Sequence, residues 1–556
     1  MNPTTPGDGR LKNSDLAFTG DYVIQGNYSG YQIWNVANPA KPMLTTAYVC
    51  PGSQSDVSVY GNLMFVSHES TAGRIDCGLQ GVPDTVSADR ARGVRIYDIT
   101  DISRPRMIKV VQTCRGSHTH TVVSNPKDDE TVYIYVSGTS GVRSANELPG
   151  CTTGALSANE NTAQFRIEVI KVPLKNPERA AVVGSPRIVR DLAPAPRNAA
   201  RDTIGARGRG GRGGVAGGDS AANAAAAAAA AAGRGGRGGR GGTPAGPTGC
   251  HDITVYPAMG LAGGACGGYG LLLDITNVEN PTRIYAAADS NFAFWHSATF
   301  SNDASKVLFT DEWGGGSAPR CRASDRYEWG ANAIFTIVDR KRLDFQSYYK
   351  MPAAQSDFEN CVAHNGSLIP VPGREIMVQS WYQGGISIFD WTDPKRPVEI
   401  GYYDQGPLTG DKLVAAGHWS TYWHNGLIYS SDEARGLVIF ELTPSPMMTA
   451  NEIEAAKLVR FAQMNVQDQQ KLVWPAHFAV ARSYVDQLAR SGGLPATRIR
   501  SVRNELARAE SLTGGARRAA LIQVLEQLYA DVAGSSDAGK VRMLAGAVKD
   551  LAGAAR

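Results

Sequence analysis

The chain has 556 residues, 42% of them hydrophobic and 19% charged, with a formal net charge of +4. That suits one large packed unit with additions. Seven arginines and two aspartates between residues 201 and 240 supply the excess charge, leaving the rest near neutral and a poor match to a nucleic-acid groove.

Residues 1–13 read as an N-terminal arm, and the opening MNPTTPGDGRLKNSD carries no apolar signal-peptide core. No apolar run reaches the roughly 18 residues that a membrane helix needs. From residue 14 to 445 two phrases alternate. One is an apolar strand, an Asp or Asn, a Pro and a second strand, as in YQIWNVANPAKPMLTTAYV, VRIYDITDISRPRMIKVVQT and ISIFDWTDPKRPVEIGYYD. The other is a short hairpin, as in DVSVYGNLMFVSHE, HDITVYPAMGLAGGAC and HSATFSNDASKVLFTDE. Together they make a four-stranded unit, and seven such units follow one another. A single sheet cannot bury both faces, whereas seven packed radially can. The expectation is therefore an all-β, seven-bladed propeller whose last blade lacks its fourth strand.

Residues 195–248, rich in Gly, Arg and Ala, break this pattern and read as a disordered, low-complexity insertion between the third and fourth blades. From 450 to 556 apolar residues recur at helical spacing, which predicts a small bundle of four or five helices. His477 there reads as a core or capping residue.

The phrases IYDITDISRP and IFDWTDPKRP resemble the LVIVD-repeat family, whose repeats form propeller blades. Over most of residues 14–445 that resemblance implies the fold rather than an activity. HDITV, VLFTDEWGGG and QSWYQGGISIFDWTDPKRP are similar to phrases of the selenium-binding protein/methanethiol oxidase propellers, which implies a His-lined metal centre.

One slot stands out. The first strands of the seven units open on Asp15, Asp56, His120, His251, His296, His364 and His418, which takes five of the nine histidines. In a propeller these positions ring one mouth of the central channel, together with the ends of the second strands. The latter add His68-Glu69, Asp311-Glu312-Trp313, Trp381-Tyr382 and Asp432-Glu433. Imidazoles from separate rigid strands suit one transition metal such as Cu, Zn, Fe or Mn. Glu69, Glu312 and Glu433 are candidates to orient them or act as base. His118, in SHTHT, faces the same way as His120. Trp313, Trp381 and Tyr382 are expected at an apolar rim. Asp252 is expected to point away from His251 by strand alternation. A hydrogen-bonded structural girdle and a metal-free binding site account for the same polar ring.

The eight cysteines form no CxxC pair, which favours disulfides and an oxidising compartment over a zinc site. Cys50, Cys114, Cys250 and Cys361 fall in links between blades, and Cys77, Cys151, Cys266 and Cys321 in or near loops after second strands. Two functions remain. One is a secreted or periplasmic metal-dependent oxidoreductase or lyase. The other is a non-catalytic scaffold holding a protein, carbohydrate or small molecule at the mouth, as a monomer that takes no nucleic acid.

Overall fold

The computed structural model describes residues 12–197 and 246–555; most of the Gly/Arg/Ala-rich stretch and the arm before Lys12 lie outside them. Seven antiparallel sheets follow in chain order. Their inner strands are Asn13–Thr19, Val57–Tyr60, Thr119–Asn125, Ile253–Tyr256, Trp295–Phe300, Gly366–Ile369 and His418–His424. The protein is a seven-bladed β-propeller with a C-terminal helical region.

The recurrent Asp/Asn of the repeat has a local cause. Asn35, Asp98, Asp274 and Asp390 each accept a hydrogen bond from the backbone N–H two residues on, at 2.8–3.0 Å. This turns the chain from the third strand of a blade toward the fourth. Apolar side chains between blades fill the core, as where Phe65, Val94 and Ile96 of blade 2 meet Val122, Ile134 and Ile170 of blade 3.

Blade 7 has three strands among the described residues. The ring closes through side chains instead. Tyr422 donates to Asp15 at 2.5 Å, Gln25 donates to Ser431 at 2.8 Å, and Leu16, Phe18 and Val23 pack on Tyr422 and Tyr429.

All eight cysteines are paired, as Cys50–Cys77, Cys114–Cys151, Cys250–Cys266 and Cys321–Cys361. Each bond ties a link between blades to a second strand or the loop after it. The same bonds exclude a thiolate role for Cys250 beside His251 or for Cys361 near His364.

The helices are α1 (Ala450–Lys457), α2 (Phe478–Ser491), α3 (Ala496–Ser511), α4 (Gly514–Asp531) and α5 (Ala538–Ala554). A capping box of Thr449 and Glu452 starts α1, and His477 caps α2 through its Nδ1. Buried Glu452 receives both Arg374 of blade 6 and Arg490 of α2, at 2.8 and 2.6 Å. Between α1 and α2 the chain crosses the lower end of the channel. Gln463–Asn465 adds a fifth strand to blade 1 inside the ring. Three amide side chains then clamp backbone of two inner strands and of one hairpin turn in both directions. Asn465 binds N–H and C=O of Val59, Gln463 those of Gly61, and Gln469 those of Phe300, all at 2.8–2.9 Å.

Asp468 lies in this crossing segment and is 9% exposed. Burial pushes its carboxyl up to about 7, from 3.8. The folded state thus holds a proton that the unfolded chain releases at lower pH. Its contribution to stability is present in acid and is lost as pH rises through the folded value. Asp468→Asn is expected to melt several degrees above the parent at about pH 8.5 and alongside it at about pH 4. Equal melting temperatures at both values in calorimetry refute this.

Candidate metal centre

The pairing register splits the seven openings into neighbouring positions. His251, His296 and His364 each stand five residues before the position next to the hairpin turn, Tyr256, Ser301 and Ile369. Ser55 holds that level in blade 2, five before Tyr60. Asp56 and Asp252 stand one residue later. Thr119 and Thr121 bond the carbonyls of His251 and Ile253, which puts His120 level with Asp252. In blade 7 Asn365 bridges Ser420, so Trp419 is level with His364 and His418 lies one residue before it. Reading all seven as one slot is therefore corrected. Irregular pairing at Asn13/Leu16, Trp295/Ala298 and His418/Ser420 breaks a count made from strand starts.

The consequence for the imidazoles is large. His118, His251, His296 and His364, from four successive blades, form a row with ring centroids 4.4, 4.2 and 4.2 Å apart. His120 lies outside it, its two nitrogens held by Ser58 and Ser67 hydroxyls at 2.5 and 2.8 Å. His418 is likewise bound elsewhere, to Ser430 at 2.8 Å and near Gln405 at 3.3 Å. Burial lowers His120 to about 3 and His418 to about 4.

The second-strand ends divide too. Glu69, Glu312, Tyr382 and Glu433 form one set near the mouth; their predecessors His68, Asp311, Trp381 and Asp432 turn into the blades. His68 is wedged between Gly52 and Gly73, where a Cβ on either glycine would stand 1.8 Å from the ring. Asp311 accepts backbone N–H groups of Ala293, Phe294 and Gly330, and Asp432 those of Ala434 and Arg435. Trp381 is buried with Phe389 and Trp391 in a blade core, not at a rim. Trp313 packs with Trp329, Val362, Tyr382 and Trp419.

Asp252 does not point away from His251: its Oδ1 is 3.0 Å from His251 Nδ1. Both residues precede the strand, which begins at Ile253, so pleat alternation does not govern them. A signal for Asp252 existed in the matching phrases DVSVYG and DITVYP, which align it with Asp56. A small cavity with room for about one water-sized sphere lies here, lined by Asp15, Asp56, Thr119, His251, Asp252 and His296 among others. Burial raises both Asp15 and Asp56, and for Asp56 the charges of Asp15 and Asp252 add to it.

Two groups have the spacing to hold a metal ion, His251/Asp252/His296 and His296/Glu312/His364, with ligand atoms in each within 4.8 Å of one another. They could hold one transition-metal ion. His364 Nδ1 is hydrogen-bonded to the Trp419 carbonyl and so carries the ring proton. Its Nε2 lone pair then faces Glu312 Oε1 at 3.7 Å with no partner. Glu312 Oε2 is 3.7 Å from His296 Nε2. Tyr382, at φ +53° with its ring against Gly316, donates to Glu312 Oε1 at 2.5 Å and orients that carboxyl. Burial holds His364 at about 3 and drives His296 well below its ordinary value, helped by the neighbouring imidazoles. Burial pushes Glu312 up to about 8. Beside them, burial works against charge on His118 and Glu69, but their 2.6 Å contact outweighs it, raising His118 and lowering Glu69. Glu433 is tied to Lys12 at 3.0 Å.

No family model and no curated protein matches the chain. Among solved structures it is similar to a periplasmic gluconolactonase of Pseudomonas aeruginosa, at 12% identity and TM-score 0.43, covering 83% of this chain and 98% of that one. It is also similar to hydrazine synthase of Kuenenia stuttgartiensis, at 9% identity and TM-score 0.43, covering 80% and 98%. A functionally unknown protein of Desulfotomaculum acetoxidans gives 12% identity and TM-score 0.39, covering 80% and 92%. Likenesses this distant carry no argument about activity.

Proposed function

We propose that this is a secreted or periplasmic propeller of the LVIVD-repeat type. Its mouth holds a transition-metal ion at His296, His364 and Glu312, for oxidoreductase or lyase chemistry on a small molecule. One observation carries the metal reading. Buried His364 Nε2 has no hydrogen-bond partner and faces Glu312 Oε1 at 3.7 Å, beyond hydrogen-bond reach. Lone pairs opposed across a dry space are costly, and a cation between them relieves the cost. The Trp419 carbonyl on the far side of His364 is the support that metal-bound imidazoles commonly have. Imidazole with carboxylate suits Cu, Zn, Fe or Mn. Such an ion supplies Lewis acidity or a redox couple. The chain's own groups add orientation from Tyr382, and the His118–Glu69 pair beside His251, able to hold a proton. Four disulfides and no free cysteine support an oxidising compartment. Among the described residues no helix is long and apolar enough to cross a membrane.

Equilibrium dialysis against Cu(II) and Zn(II) separates this from a structural girdle. His296→Ala is expected to weaken binding on the order of 100-fold, while His120→Ala and His418→Ala bind as the parent does. If His120→Ala loses the ion and His296→Ala keeps it, the assignment is wrong. Saturating ion should also raise the parent's melting temperature, by the equivalent of about 2.7 kcal/mol at a hundredfold excess over Kd. His296→Ala should show no such rise in the same calorimetric scan.

A further inference from the structure

The two candidate groups are not alternatives drawn from the same atoms. They meet at one imidazole but use opposite edges of it. His296 Nδ1 faces Asp252 Oδ2 at 3.9 Å, on the side of His251. His296 Nε2 faces Glu312 Oε2 at 3.7 Å, on the side of His364. Each side has its own unpartnered, fully buried atom. On the first it is Asp252 Oδ2, and on the second His364 Nε2. An ion placed on one side satisfies nothing on the other. A neutral imidazole has one lone pair and one N–H, so a single ion at Nε2 leaves Nδ1–H facing Asp252, and an ion at Nδ1 leaves Nε2–H facing Glu312. The first arrangement leaves the ligand set of His251 and Asp252 unmet, and the second leaves the lone pair of His364 unmet.

We propose that the mouth is a two-ion centre in which His296 bridges two transition-metal ions through its two ring nitrogens. His251 and Asp252 complete one site, and His364 and Glu312 the other. This rests on the metal reading above and extends it from one ion to two. Binding at both nitrogens removes the ring N–H proton to solvent, leaving imidazolate. The second dication takes the place of that proton, so the centre gains one net positive charge, and no electron moves. Metal–nitrogen bonds of about 2.0–2.1 Å put the two ions about 6 Å apart, too far for a shared single-atom bridge and near enough for magnetic coupling through the ring. The ring spacings of 4.2 Å from His251 to His296 and from His296 to His364 place one terminal imidazole on each side of the bridge. His118 stands one step further along, in contact with His251 and tied to Glu69, and is outside both sites.

The full-length protein is titrated with Cu(II) alone while electron paramagnetic resonance is recorded. The expected result is a signal that grows through the first equivalent and falls through the second as the ions couple antiferromagnetically. Asp252→Ala and Glu312→Ala, checked for native circular dichroism, should each take one equivalent and keep an uncoupled signal. A signal that doubles at two equivalents overturns the bridge. Saturation at one equivalent overturns the second site while leaving the single-ion reading standing. Two equivalents retained by both variants overturns the assignment of ligands. No binding at all removes the single-ion reading and this one with it.

Discussion

Inner-strand edges dominate the design. A propeller turns one unpaired backbone edge of every inner strand toward its axis, and those N–H and C=O groups need partners. At the lower end this chain meets them with its own crossing segment. The amides of Asn465 and Gln469 each bond both backbone groups of a single inner-strand residue, Val59 and Phe300, and that of Gln463 bonds those of Gly61 in the adjoining turn. That segment also joins the propeller to α2–α5, so the helical region is bound into the ring rather than appended to it. At the upper end the edges are met by side chains of neighbouring blades, such as Thr119 on the carbonyl of His251. Polar residues are thereby concentrated at the mouth, where function can use them.

Burial sets the chemistry of that mouth. The row from His118 to His364 is nearly closed to solvent, and burial disfavours charge on His251, His296 and His364, while Glu69 offsets it at His118. Glu312, without a cation, is driven toward its protonated form. The centre is therefore poised to exchange protons for metal ions. Tyr382, in a left-handed backbone conformation and with its ring in the space that Gly316 leaves, holds Glu312 facing the imidazoles. Gly314, Gly315 and Gly316, all at positive φ, follow Glu312 after Trp313, and at Gly316 a Cβ would fall 2.1 Å from that ring.

The repeat was plain in the sequence because its cause is local. The Asp or Asn after each third strand makes its own turn, and hairpin turns and period-2 strands need no knowledge of the rest of the chain. The His-rich mouth was legible for a related reason, since inner-strand openings share one face in any propeller. What could not be read was which histidines meet. His120 and His251 look equivalent when counted from the starts of their strands. Bulges and pre-strand residues shift them by one, and one residue decides whether a ring nitrogen meets Ser58 and Ser67 or another imidazole.

The sequence by itself determined the blade count, the strand pattern, the helical tail, and that the polar ring would be rich in histidine. Each of these is set by periodicity or by turn chemistry within a few residues. Only the tertiary structure decided that Cys50 pairs with Cys77, that a later segment seals the channel, and that Asp252 belongs with His251 and His296. It alone also placed His418 and His120 outside the row of imidazoles. Those outcomes depend on register between blades, which arises when distant strands pack and which no local pattern encodes.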